Sequence, residues 1–386
     1  MRMAQRPADR AAAFLAKGAG SRMRNESGVV LLVVLIVVTL LTIIVTEFTY
    51  SVQLDMHRTR NALSALQASL LARSAINIEE SFLMMDKNEQ GNYDAFTEVW
   101  WLALQQFCSE STDLGPTMRM QCTIEDESGK LNINLTRTSA ESQAQERGER
   151  KTRDAFARDA LRRIFEAHNI EVDIVDELQE YWLQEPPVDD AGRQQRIPDF
   201  ASLEDFAARF QLPTPQLREL RRILTATPMR YLRALNVNTA PGIVLAAVIN
   251  EPNAVAAILE RQQSEEPFKN AGEVRSLLEQ EGVEDAGIVG GLFDVRSNMF
   301  RLRASALTNV DPEGEFAGGI GQTLSELVFR QAGRCPSGQT PPCWTLKPLD
   351  WQKEGGARLL EYAPDEFGEP GSGEEDGEFD DRAYGR

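Results

Sequence analysis

Histidine is almost missing from this chain: His57 and His168 are the two examples in 386 residues, beside four cysteines. Little material is left for a histidine-based zinc site or a histidine-dependent nucleophile, and neither histidine has a Ser or Cys beside it in a recognisable nucleophile setting. No H-E-x-x-H, Walker loop or dinucleotide fingerprint occurs. An enzyme is not expected, and no catalytic residue or resident cofactor is assigned. Positive charge is scarce as well. Lys and Arg number 41 against 59 Asp and Glu, a formal net charge of −18. A phosphate backbone must be met by cations, so nucleic acid is not an expected partner. The glycine run Gly287 to Gly291 lacks the basic patch of a DNA-gripping hairpin. Finally, neither Gly nor Pro interrupts the chain between Val29 and Gly91, which leaves a long helix unbroken.

The charges that are present are segregated. The first 28 residues carry six basic and two acidic side chains, and an uncharged run, Val29 to Val45, follows at once. Its 17 residues span about 26 Å as a helix, just enough for a bilayer core. The positive flank precedes it, which keeps the N-terminus cytoplasmic and sends the rest outward. This predicts a single-pass inner-membrane protein with a periplasmic head. No small-residue cleavage site follows the run. The abrupt junction Gly28–Val29 instead fits a prepilin-type leader, cut before the apolar run, with Gly28 letting the backbone into a narrow protease site. An uncleaved signal anchor carrying a periplasmic interaction domain is the alternative.

Helix formers continue past residue 45. Leu63, Leu66, Leu70, Ala75 and Ile78 recur at helical spacing, which predicts one apolar stripe on a helix over 29–85 that packs on the head. Residues 118–127 and 130–135 then alternate in polarity and read as a hairpin or an adjacent strand pair. Helical segments fill 154–280, with a capping-box-like start at Ser202 and an Asn238 or Thr239 cap ahead of Pro241. Alternation returns over 299–307, 323–331 and 344–351. Trp100, Trp101 and Phe107 are expected to pack the head, and His168 to end a helix. Residues 365–386 carry nine acidic side chains and read as disordered.

The order of motifs resembles the type II secretion minor pseudopilin K family, also called general secretion pathway protein K. The likeness covers roughly 24–350. It rests on the Gly28/Val29 junction, SGKLNINLTR (128–137), SLEDF (202–206), LNVNTAP (235–241), EPFKNAGEV (266–274) and VRSNMFRLRASA (295–306). The resemblance implies an α+β pseudopilin fold, a long N-terminal helix plus antiparallel sheet, with a large all-α domain inserted. The expected layout is leader 1–28, helix 29–85 with the membrane segment 29–45, head 86–138 and 292–355, inserted helices 139–291 and acidic tail 356–386. It also implies cleavage by a prepilin peptidase between Gly28 and Val29, methylation of the new Val29 amine, and I- and J-type minor pseudopilins as partners. The outer-membrane secretin or cargo is a further expected contact. The fifth mature residue is Val33, where major pilin-like proteins carry Glu; K-type members share this lack. K-type proteins often hold a calcium-compatible acidic stretch after the first inserted helices. Here 176–200 offers Asp189 and Asp190, fewer carboxylates than calcium prefers, so calcium stays a possibility without assigned ligands.

All four cysteines follow the membrane segment, where an oxidising periplasm favours disulfides. Three pairings exist, and four free thiols are the alternative. Cys335–Cys343 is favoured because the RCPSGQTPPCW loop suits tight closure; Cys108 then pairs with Cys122.

Overall fold

The computed structural model describes residues 9–89, 92–108, 112–113, 118–138, 152–185, 195–308, 320–333 and 343–355. The chain divides into two compact units, 1–64 and 65–386. Helix α1 runs Asp9–Glu89, so helix also covers the segment read as leader. In the first unit the described side chains from Gly28 to Leu63 are exposed. The helix is long and apolar enough to cross a membrane over Gly28–Lys87.

The second unit is built on a five-stranded antiparallel sheet of order β1-β2-β7-β8-β9. Its long strands are β2 (Met118–Asp126), β7 (Met299–Thr308), β8 (Ile320–Gly333) and β9 (Cys343–Gly355), with β1 (Thr112–Asp113) at one edge. Period-two alternation made β2 and β7 visible: Met120, Cys122 and Ile124 point inward from β2, and Leu302, Ala304 and Ala306 from β7. On the other edge Pro348 has no N–H to give, and the β8–β9 register shifts between Leu327 and Val328, as a proline at an edge strand allows.

One core lies between this sheet, α1 and α2 (Val99–Cys108). From α1 it takes Ala68, Ala72, Ala75, Ile76 and Leu83, whereas Leu66 and Leu70 are 56% and 60% exposed. Of the expected stripe only Ala75 is in this core; Leu63, Leu66 and Leu70 are exposed and Ile78 is half-buried. Alanines face the sheet because a short side chain lets the helix axis approach the strands closely. Trp100 is buried and Trp101 packs partly against the same core, but Phe107 stays exposed, against expectation.

The expected hairpin does not form. Strand β2 pairs along its length with β7, Asp126 opposite Phe300. The chain thus leaves the sheet at Asp126 and returns beside the same point. Residues 127–136 form two tight turns around β3 (Leu131–Asn132), each opened by a side chain that accepts from the backbone two residues on: Asp126 from Ser128, Asn132 from Asn134. These Asx-type bonds compete with extended pairing, and β3 pairs instead, in parallel, with β4 (Leu224–Thr225).

Between the exit and the return lie α3 (Arg153–Ala167), α4 (Asp173–Leu183), α5 (Leu203–Arg209), α6 (Thr214–Leu220), α7 (Gly242–Ile249), α8 (Pro252–Gln263), α9 (Ala271–Gln280) and α10 (Ala286–Gly290). Ser202 caps α5 by accepting from the Asp205 amide, and Asn270 caps α9 in the same way from Glu273. His168 ends α3, as expected. A second core, from Leu131 to Val295, belongs to these helices; Phe165, Phe206 and Phe268 are fully buried in it and Trp182 nearly so. The short pair β5 (Leu235–Asn236) and β6 (Phe293–Asp294) closes the block.

Candidate functional site

The exit point is held by a buried polar junction. Asp126, at the end of β2, accepts from the Ser128 amide (2.8 Å), the Thr239 hydroxyl (2.6 Å) and the Ser297 hydroxyl. Ser128 Oγ accepts in turn from the amides of Asn298 and Met299 at 3.1 and 3.2 Å. Asn236 donates to the Asp94 carbonyl (2.9 Å) and to Ser297 Oγ (2.6 Å). Asn238 exchanges a reciprocal pair of 2.9 Å bonds with the backbone of Phe268. The LNVNTAP segment, expected to cap a helix through Asn238 or Thr239, spends both side chains on these long-range bonds. Pro241 stands at the cap of α7, where its carbonyl accepts from Val244. The SGKLNINLTR segment works alike: Asn132 donates to the carbonyls of Thr227 and Leu232, and Asn134 to those of Phe200 and Thr227.

A charged centre adjoins this junction. Arg330 of β8 is fully buried. Its guanidinium pairs with Asp94, donates to the carbonyls of Ser297 (2.7 Å) and Leu83 (3.3 Å), lies 3.7 Å from Asp86 and stacks 4.6 Å over the Phe300 ring. Lys87 pairs with the other Asp94 oxygen at 2.9 Å and donates to the Tyr93 carbonyl. Glu98 accepts from the Ala95 amide through one oxygen. Burial first, then the neighbouring acids, push Asp86 up to about 6 and Glu98 up to about 8. Burial also pushes Asp126 up to about 6 despite its hydrogen bonds. Glu127 moves the other way. Burial disfavours its charge, but Lys130 at 3.2 Å and Arg301 at 2.7 Å hold it down at about 2. Sequence reasoning did not find this centre. Its one signal was a charged residue, Arg330, in the inward phase set by Leu324 and Val328.

Asp86, Asp94 and Glu98 bring one carboxylate oxygen each within 4.8 Å of the others. The trio does not fit a calcium ion: both Asp94 oxygens are already claimed, by the guanidinium and by the ammonium. Asp189 and Asp190 lie outside the described residues.

Among the residues read from sequence, Gly28 lies on α1 with open space around its Cα, and Val29 and Val33 are 64% and 51% exposed on the same helix. Cys108 and Cys122 form a disulfide between the end of α2 and β2. The Cys335–Cys343 pairing lies outside the described residues; the backbone of Cys343 opens β9.

Two comparisons bear on this geometry. Residues 235–296 match the family model described as type II secretion system (T2SS), protein K. That segment runs from LNVNTAP to the residue before Ser297, which is most of the junction's far side. The fold is similar to a chain in the crystal structure of the GspK–GspI–GspJ complex from the enterotoxigenic Escherichia coli type 2 secretion system. The TM-score is 0.55 and the identity 17%, over 78% of this chain and all of that one. No curated protein matches the chain in sequence. The matched segment and the fold together bear out the resemblance to the K-type minor pseudopilins of type II secretion.

Proposed function

We propose that this chain works at the tip of a type II secretion pseudopilus, as the K-type member of a heteromeric cap with I- and J-type minor pseudopilins. The observation that carries the reading is the junction at Asp126: a helical block, entered and left at one point of a pilin-type sheet, riveted there by the family's own segment. In this reading a block over 139–291 makes the head too wide to fit beneath another subunit of a regular filament. Val33 points the same way. A subunit stacked on a neighbour in an apolar filament core needs a carboxylate for the neighbour's buried amine, since an unpaired charge there costs several kcal/mol. Val33 offers none, and a first subunit has no earlier neighbour. The cap primes pseudopilus assembly in the inner membrane and leads export through the outer-membrane channel. Its role is structural, not catalytic.

Entry into this pathway is cleavage between Gly28 and Val29 with methylation of the new amine. Mass spectrometry of the mature N-terminus tests it: a chain beginning at methylated Val29 is expected in cells with active peptidase. Gly28→Val is expected to retain the leader. A mature chain still starting at Met1 would favour the uncleaved anchor.

A further inference from the structure

Three carboxyl groups and two cations meet in the charged centre, and all five are buried. The cations are spent. Lys87 serves Asp94 and the Tyr93 carbonyl, and Arg330 serves Asp94 and two further carbonyls. Asp86 has Arg330 no nearer than 3.7 Å. Glu98 is 1% exposed, and its second carboxyl oxygen has no hydrogen-bond partner among the described residues. With every acid ionised, the centre would keep one uncompensated negative charge in the interior, at a penalty of several kcal/mol.

We propose that Asp86 and Glu98 form a buried carboxyl pair holding one proton, and that this proton keeps the 92–98 segment closed against β8. Both Asp86 oxygens and one Glu98 oxygen lack a hydrogen-bond partner among the described residues; the proton resides on Glu98, because Asp86 has the Arg330 cation at 3.7 Å and Glu98 has no cation at ion-pair distance among those residues. It removes the surplus charge without displacing Lys87. The groups facing the pair are Asp86 and Lys87 from α1, Tyr93 and Asp94 from the connecting segment, and Arg330 from β8, with Asp126 of β2 beyond Asp94. The upward displacement of Glu98 to about 8, beyond that of Asp86 to about 6, agrees with a proton held on Glu98. A folded-state pKa above the ordinary value means the contribution to stability is complete at low pH. For Glu98 it is full below about 4.5 and falls steadily as pH rises from there to about 8. The proton therefore holds residues 92–98 more firmly in acid than at neutral pH, and its contribution ends in mildly alkaline solution, where Glu98 loses the proton.

Infrared difference spectroscopy of the full chain in detergent tests this directly. The expected result is a protonated carboxyl band at pH 7 that titrates with a midpoint near 8 and is missing in Glu98→Gln, which keeps the Ala95 bond. Glu79, buried and raised well above its ordinary value, is untouched by Glu98→Gln, so the comparison of the two proteins isolates the Glu98 band. Asp86→Asn removes the like charge and is expected to move the Glu98 midpoint downward, a readout that survives should Glu98→Gln fail to fold. An unchanged band in Glu98→Gln, or an unmoved midpoint in Asp86→Asn, would overturn the proposal. So would a calcium-induced rise in melting temperature at pH 7 that vanishes in Glu98→Gln, since it would make the ligand a metal.

Discussion

A side chain has no room at Gly129. A Cβ there would meet the Thr239 carbonyl oxygen at 2.7 Å, and that atom is backbone in the segment riveted to Asp126. Gly129→Ala is expected to destabilise the second unit by about 1–3 kcal/mol, read as a lower denaturation midpoint with an unchanged denaturant slope. Glu127, two residues earlier, contributes to acid sensitivity. Its folded pKa lies below the ordinary value, so its contribution is full above about 4.5 and is lost as pH falls toward 2. Thermal melts are expected to drop between those pH values in the wild type and to drop less in Glu127→Gln; equal drops would remove the Lys130 and Arg301 pairing from the account. At this scale the sequence showed which residues were unusual, but not why. The asparagines of SGKLNINLTR and LNVNTAP, Asn132, Asn134, Asn236 and Asn238, were legible only as parts of those motifs. Their work is to bond carbonyls up to 142 residues away, and no local period encodes such partners.

Elements were far more legible, because periodicity and caps are local. Inward alternation marked β2 and β7, and Ser202 marked the start of α5, which it caps by accepting from the Asp205 amide. The failures have physical causes. Residues 130–135 alternate as a strand does, yet Asx bonds from Asp126 and Asn132 turn the backbone. On α1 the leucines looked like the core stripe, yet the sheet takes alanines. The exposed leucines now have a use in the proposed cap, as packing surface for partner stems. Leu66→Ser with Leu70→Ser is expected to leave folding within about 0.5 kcal/mol and to weaken co-purification with the I- and J-type partners. A stability loss well beyond that would return the stripe to the core. The Cys108–Cys122 bridge, with a sequence separation of 14, ties α2 to the sheet. Cys108→Ser is expected to lower stability by about 2–3 kcal/mol, measured by denaturant unfolding against the oxidised wild type.

At the scale of the molecule, the ordered set of motifs read from the sequence corresponds to a fold in which every quoted segment between 128 and 306 contributes to the helical block or to its attachment at Asp126. That order made the fold legible, although no single motif would have done so. The charged centre of Asp86, Asp94, Glu98 and Arg330 was not legible, because its members come from α1, its following segment and β8 and meet only after folding. The central claim is assembly with two partners at a pseudopilus tip. Its most direct measurement is native mass spectrometry of this chain, lacking residues 1–50, mixed with the head domains of the I- and J-type pseudopilins from the same cell. The account predicts a complex containing all three chains. Recovery of this chain alone, at its own mass, in the presence of both partners would contradict it.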